Sequence, residues 1–228
     1  MSRIKTKKIA DASEALLSLM KVDYDILGDA EGCCGSVLLR TGQIDDARKV
    51  AEATLERIRA GGYEEVVTSC PGCYKTMASD YPKLLICDVP FKVRHISQLL
   101  YDKAEKLKPL LHPLTCRAIY HDPCHLGRHM GVYDEPRALI KMVPGVDLVE
   151  FKHNRAKSMC CGSGGGVRSV FPEISKEVSI SLMAEIPKDV AVLITSCPFC
   201  NYSFIDSDSS GLTVLDLPEF LLKSCRGA

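Results

Sequence analysis

The sequence predicts an α/β protein of two pseudo-repeated lobes, each a small, mostly parallel sheet with flanking helices. Short apolar runs of strand length alternate with amphipathic helical segments, the pattern of layered α/β folds. A set of residues also recurs after 127 positions. Cys33, Cys34, Cys70 and Cys73 map onto Cys160, Cys161, Cys197 and Cys200, and Gly35, Thr68, Ser69 and Pro71 map onto Gly162, Thr195, Ser196 and Pro198. That unit is longer than a solenoid repeat and reads as a duplicated lobe. Residues 108–115 hold two prolines and no periodicity, so they are expected to link lobes at 1–108 and 116–228.

In chain order, Ile4, Ile9, Leu16, Leu17 and Met20 predict a helix over residues 3–20, and Val22–Leu27 alternates like a strand. The Cys33-Cys34-Gly35 corner comes next. Ile44, Ala47, Ala51, Leu55 and Ile58 form one stripe of a helix from about Gln43 to Ala60, stopped by Gly61-Gly62. Val66–Thr68 reads as a buried strand ending at Cys70, and Pro71 opens a helix where its missing N–H does no harm. A strand at Phe91–His95 and a helix at Ile96–Leu107 complete the first lobe. The second lobe repeats the order: strand Arg117–His121, helix Pro136–Met142, strand Val146–Phe151, helix Pro172–Glu185, strand Val190–Thr195 and a helix from Cys197. Strand Val214–Leu217 and helix Pro218–Lys223 follow. In parallel sheets ligands collect at the carboxyl ends of strands, and Cys70, Cys124 and Cys197 each fall there.

Composition narrows the function classes. The 228 residues are 46% apolar and 25% charged, with 29 basic residues against 29 acidic ones, so no global field recruits nucleic acid or anionic lipid. Trp is absent and aromatics are 6%, which argues against base-stacking platforms. No apolar run reaches the ~20 residues of a membrane helix. The basic start, Met1–Lys8, lacks an apolar segment behind it because Asp11 and Glu14 intervene. A cytoplasmic chain is expected, where cysteines serve metals or catalysis rather than disulfides.

The second half delivers five cysteines: Cys124, the pair Cys160-Cys161, and the spaced pair Cys197-Pro198-Phe199-Cys200. Thiolates select zinc, Cu(I) or iron–sulfur clusters, and four satisfy one zinc ion or one cubane, so a fifth argues for something larger than one ion. The first half repeats four of the five, without a counterpart of Cys124, and reads as the degenerate copy. Cysteines at helix starts face a positive dipole end, which favours thiolate. Adjacent cysteines cannot point the same way along a regular strand, so each pair needs an irregular corner, supplied by Gly35 and Gly162. The run Gly162-Ser163-Gly164-Gly165-Gly166 fails the dinucleotide fingerprint, whose third glycine would fall on Val167. Gly162, Gly164 and Gly165 instead suit a close backbone approach to cluster sulfurs. His121, His125 and His129 flank Cys124 as extra ligands, proton donors or plain loop histidines. Arg128, Arg137 and Arg168 read equally as anion binders or salt-bridge partners. Cys87, Cys116 and Cys225 lie outside both sets and are expected to be structural, with Tyr74 and Phe199 as packing residues.

These motifs resemble the duplicated cysteine-rich (CCG) domain family, to which the catalytic iron–sulfur subunit of heterodisulfide reductase belongs. The resemblance covers nearly the whole chain. It is most specific at Cys33-Cys34-Gly35, Ser69-Cys70-Pro71-Gly72-Cys73, His121-Asp122-Pro123-Cys124-His125-Leu126-Gly127-Arg128, Cys160-Cys161-Gly162 and Cys197-Pro198-Phe199-Cys200. It implies that Cys124, Cys160, Cys161, Cys197 and Cys200 ligate a non-cubane [4Fe-4S] cluster, with Gly162, Gly164, Gly165 and His125 around it. It further implies a CoM–CoB-type heterodisulfide as substrate. Cys33, Cys34, Cys70 and Cys73 are left to hold a [4Fe-4S] cluster or zinc, and the missing fifth cysteine puts a two-cluster mechanism in doubt. The sequence contains no ferredoxin-type cysteine run, so electrons are expected from a partner subunit carrying ferredoxin-type clusters, flavin or haem. The same domain occurs in quinone-linked hydroxyacid and glycerol-3-phosphate dehydrogenase complexes. An electron-transfer subunit, with peripheral association to a membrane subunit, is therefore the second expectation, and a zinc-stabilised module the third.

Overall fold

The structure, a computed structural model, describes residues 7–208 and 210–227. The chain opens with α1 (Lys7–Leu19), whose inner stripe buries Ile9, Ala12, Leu16 and Leu17. Helices α2 (Ser36–Arg40) and α3 (Ile44–Ala60) precede strand β1 (Glu65–Thr68). From the end of β1 the chain runs into α4 (Pro71–Lys75), a π-helical turn at Thr76–Asp80 and α5 (Tyr81–Leu85). Strand β2 (Lys92–His95) leads directly into α6 (Ile96–Asp102) and α7 (Ala104–Leu107). The second half contains β3 (Cys116–His121), α8 (Asp134–Met142), β4 (Val146–Glu150), α9 (Val167–Val170) and α10 (Pro172–Met183). It closes with β5 (Val192–Thr195), α11 (Pro198–Ser207), β6 (Thr213–Asp216) and α12 (Leu217–Arg226).

Among the described residues all strand pairs are parallel, as the alternating pattern predicts. β1 and β2 form a two-stranded sheet, and the second sheet runs β4-β3-β5-β6. The 127-residue shift is visible in the fold: α1, β1 and α4 begin at positions that map onto the first residues of α8, β5 and α11. β2 and β6 are counterparts at a shorter offset, and each feeds a helix through a capping box. In these boxes Gln98 Oε1 accepts from the His95 N–H at 3.1 Å, and Glu219 Oε2 accepts from the Asp216 N–H at 2.9 Å.

The two lobes are knit by reciprocal packing. α12 of the second lobe packs on α1 of the first, and α6 of the first packs on α8 of the second. Leu16, Leu100, Leu139, Ile194 and Phe220 consequently share one core, all fully buried. Burying each such side chain contributes about 1.5–3 kcal/mol, so neither lobe keeps its core alone. At the centre His95 is fully buried. Its Nδ1 accepts from the Ser97 hydroxyl at 2.8 Å, and its Nε2–H donates to the Ser69 carbonyl at 3.3 Å, with the Ser196 carbonyl as a second acceptor. Ser69 and Ser196 are the residues just before Cys70 and Cys197, so one imidazole ties together both cysteine-bearing turns.

One sequence expectation is corrected. Val22–Leu27 is not a strand. Its counterpart β4 owes its ladder to β3, and the described residues offer this segment no such neighbour. Val22 and Tyr24 instead lean on the shared core, and the Tyr24 hydroxyl donates to the Glu14 carbonyl at 3.2 Å. The first helix is described from Lys7, so the part expected at residues 3–6 lies outside the described residues. Residues 108–110 form a 3-10 turn, and the chain then runs on without regular structure to β3. Among the described residues no helix is long and apolar enough to cross a membrane.

Burial holds His95 neutral, its pKa pushed down to about 4. Unfolded imidazole titrates near 6.5, so above that pH both states are neutral and the difference vanishes. As pH falls from about 6.5 towards 4 only the unfolded chain gains the proton, and up to about 3 kcal/mol of stability is lost. His95→Gln is expected to flatten that part of the pH dependence, measured as the shift of the urea midpoint between pH 7 and pH 4.5. An unchanged slope would contradict the assignment.

Candidate functional site

Both cysteine sets are built by the same local rules. Cys70 and Cys197 lie two residues past the ends of β1 and β5 in extended conformation (φ −108° and −156°), and each caps a helix with proline in its first turn. Cys73 and Cys200 lie three residues further on, which returns them to the same helix face. In each paired-cysteine corner the following glycine is left-handed: Gly35 at φ +75° and Gly162 at φ +82°. Each glycine N–H donates to the sulfur two residues back, Gly35 to Cys33 and Gly162 to Cys160, both at 3.4 Å. A Cβ on Gly162 would stand 2.9 Å from the Ser175 carbonyl and 3.0 Å from Val178 Cβ, so the corner is also pressed against α10.

The sulfurs within each set share hydrogen bonds. In the second lobe Cys160 is bonded by Cys124 and Cys161, which draws its pKa down to about 2, while Cys161 also meets Cys200 and Cys200 meets Cys197. In the first lobe Cys33 and Cys73 bond Cys34, drawing it down to about 3, and Cys73 also meets Cys70. The order of partners is the same in both lobes, except that the first has no counterpart of Cys124. Cys161, Cys197 and Cys200 are buried, Cys124 is half-buried and Cys160 is exposed, so the second set opens to solvent at one edge. All twelve cysteines, each among the described residues, are free thiols.

Whether such a set fits a metal group is decided by donor chemistry. Among the described residues no group of three or more His, Cys, Asp or Glu side chains is arranged to hold a metal ion. Five thiols linked in a chain of pairwise contacts, Cys124–Cys160–Cys161–Cys200–Cys197, suit the all-sulfur coordination of an iron–sulfur cluster, whose ligands attach to several irons rather than one. The donor set therefore fits a cluster better than a lone zinc.

The loop bearing Cys124 is held by a buried ion network. Asp122 accepts from both terminal nitrogens of Arg137, each at 2.7 Å, and Arg137 grips both Glu150 oxygens at 2.7 Å. Asp122 also accepts from the Arg155 N–H at 2.7 Å, and the Ser158 hydroxyl donates to the Asp122 carbonyl at 3.1 Å. His121 donates through Nε2 to the Met159 carbonyl at 3.0 Å, and burial keeps its pKa below the usual value. His121 and Asp122 thus pin the Cys124 turn to the segment leading into Cys160.

Of the two roles open to the three arginines, anion binding or salt-bridge partnership, Arg137 and Arg168 take the second, and Arg128 bonds backbone carbonyls. Arg137 is buried in that network, and Arg168 pairs with Asp206 at 2.5 Å above the Tyr202 ring. Arg128 donates to the Ala156 carbonyl at 3.3 Å and to the Ser158 carbonyl. Tyr74 packs with Leu126 and Val132, joining the Cys124 loop to the first lobe, and Phe199 lies against the second-lobe core. Cys116 and Cys225 lean on the shared core, and Cys87 is exposed.

Beside the second sulfur set is a cavity of about 350 Å³. Cys124, Cys160, His125, Gly162, Gly164 and Gly165 form one side, and Val167, Ile174, Val178 and Arg40 complete it. His125 meets His129 with ring centroids 5.2 Å apart and planes tilted by 42°, and its Nδ1 lies 3.6 Å from where a Cβ of Gly72 would stand. Burial, then His129 and the cations Arg40 and Lys75, push the His125 pKa down to about 4. Arg40 escaped the sequence reading because nothing in its neighbourhood distinguishes it. The one available signal was its 127-residue partner, Val167, which lines the same cavity.

The cysteine-rich domain family (CCG) matches this chain in two copies, over residues 1–78 and 118–205. The chain belongs to that family. One component of the dihydromethanophenazine:CoB–CoM heterodisulfide reductase of Methanosarcina acetivorans is 38% identical over 89% of this chain and 51% of its own length. One component of the fumarate reductase (CoM/CoB) of Methanothermobacter marburgensis is 38% identical over 88% of this chain and 40% of its own. The EtfAB:quinone oxidoreductase of Syntrophomonas wolfei is 28% identical over 96% of this chain and 32% of its own. The chain thus spans about half the length, or less, of these relatives. The two CCG copies coincide with the duplicated sulfur sets.

Arg137→Leu leaves Asp122 buried without its cation, and breaking such a pair typically costs about 3–5 kcal/mol. Equilibrium denaturation is expected to show a loss of that size, whereas a change under about 1 kcal/mol would show that the network does not hold the loop.

Proposed function

We propose that this chain is an iron–sulfur subunit of an oxidoreductase, and that its substrate is a disulfide of the CoM-S-S-CoB type. The carrying observation is the unbroken chain of sulfur contacts among Cys124, Cys160, Cys161, Cys197 and Cys200, open at Cys160 onto the cavity. Relatives named as components of a CoB–CoM heterodisulfide reductase support the choice of substrate. In this reading the five second-lobe sulfurs hold a non-cubane [4Fe-4S] cluster, and Cys33, Cys34, Cys70 and Cys73 hold a [4Fe-4S] cluster or zinc. When bound, the cluster supplies one-electron redox chemistry at the cavity wall.

The chain's own residues do the rest. Cys160, already thiolate-like, takes metal without first losing a proton to solvent at neutral pH. The Gly162 N–H keeps its bond to the Cys160 sulfur, and His121 with Asp122 keeps Cys124 beside it. The side chains of Val167, Ile174 and Val178 give the cavity an apolar wall. For the reaction as a whole, one disulfide takes two electrons and two protons to give two thiols. The electrons come from a partner subunit carrying ferredoxin-type clusters, flavin or haem. We place the complex in the cytoplasm, on the membrane face where its partner is a membrane subunit.

A second reading has its own support. The first lobe holds four sulfurs rather than five, and one relative is named an EtfAB:quinone oxidoreductase. There the chain would pass electrons toward quinone without handling a disulfide. Electron paramagnetic resonance on anaerobically purified, oxidised protein separates the two. A new signal on adding thiol, with disulfide-dependent oxidation of a reduced viologen dye, is the expected outcome. No thiol-dependent signal, together with dye-dependent reduction of a quinone analogue, would select the second reading.

A further inference from the structure

The cavity beside Cys124 and Cys160 is chemically one-ended. Its sulfur and imidazole side comes from the second lobe, while Arg40 reaches it from the first. Among the described residues Arg40 is the one formal cation lining it, and no carboxylate does, in a chain whose total charge is zero. The position related to Arg40 by the 127-residue shift is Val167, and with Ile174 and Val178 it makes the other wall apolar. Arg40 has an internal partner, Asp80, but that same carboxylate also receives Lys75. Two cations on one carboxylate leave a positive charge over. His129 also lies within the field of Arg40, Lys75 and Arg128, so the excess is regional. The volume, about 350 Å³, falls within the range of small-molecule sites. A planar guanidinium binds carboxylate, sulfonate or phosphate oxygens in a forked geometry, and the two parallel charge-assisted hydrogen bonds fix the orientation of the anion.

We propose that Arg40 selects the substrate: it holds the anionic group of a thiol or disulfide whose alkyl part lies on Val167, Ile174 and Val178 and whose sulfur faces Cys124 and Cys160. The proposal rests on the disulfide reading above and adds the charge and the shape of the ligand. Arg40 is a positioning and specificity residue and takes no part in electron transfer.

The test uses the metal-loaded protein and two thiols alike in length, 3-mercaptopropionate and 3-mercaptopropanol, with the symmetrical disulfide of each. Binding is read from the thiol-dependent change in the paramagnetic signal, and turnover from oxidation of reduced viologen. The wild-type protein is expected to bind the carboxylate thiol about tenfold more tightly, the scale of one charge-assisted hydrogen bond. Arg40→Gln is expected to abolish that preference by weakening only the charged thiol, and Arg40→Lys to restore part of it. Iron content in both variants should match the wild type, which a merely structural role beside Asp80 would not ensure. Equal weakening of both thiols, or an undiminished preference in Arg40→Gln, would overturn the proposal. Charge-selective binding without disulfide turnover would sustain the subsite and remove the reductase reading. A wild-type response to neither thiol would overturn both.

Discussion

The structure depends on one arrangement: each lobe completes its core with a helix of the other. α12 lies on α1, α6 lies on α8, and the side chains they bury form a single apolar interior. Because protein interiors are close-packed and transmit strain, this exchange fixes how the two cysteine-bearing turns face each other. His95 makes the link explicit by bonding the carbonyls that precede Cys70 and Cys197. A two-stranded sheet such as β1-β2 would be marginal by itself. Leaning on the larger sheet's core supports that pair of strands.

Electrostatics then decide what the turns can hold. Placing thiols side by side raises some pKa values and lowers others, because a sulfur that receives hydrogen bonds from neighbouring thiols is stabilised as the anion, as Cys34 and Cys70 are in the first set and Cys160 is in the second. Cys34 and Cys160 are the favoured anions, at equivalent stations in the two chains of contacts only up to a shift of one residue within the cysteine pair. The difference follows Cys124. Its thiol bonds Cys160 in the second lobe, whereas in the first lobe Cys33 bonds Cys34 instead.

Much of this was legible in the residues alone, for identifiable reasons. The 127-residue recurrence of cysteine, glycine and proline survives in sequence because each has a backbone or ligand requirement that other residue types do not meet. Elements read correctly where burial was strong, on one stripe in α3 and on both faces in β5. Val22–Leu27 misled because alternation reports a side-chain pattern and not the presence of a pairing neighbour. Arginine roles were illegible for a related reason. Arg137 and Arg40 look alike in sequence, but Asp122 and Glu150 claim one while the cavity claims the other.

The central claim is that the second-lobe sulfurs hold one iron–sulfur cluster independently of the first lobe. It is tested most directly by replacing Cys33, Cys34, Cys70 and Cys73 with serine and measuring iron, sulfide and zinc, with Mössbauer spectra, on anaerobically purified protein. The account requires about four irons and four sulfides to remain per chain, in one cluster environment. Stoichiometric zinc with no iron, or loss of all metal, would contradict it.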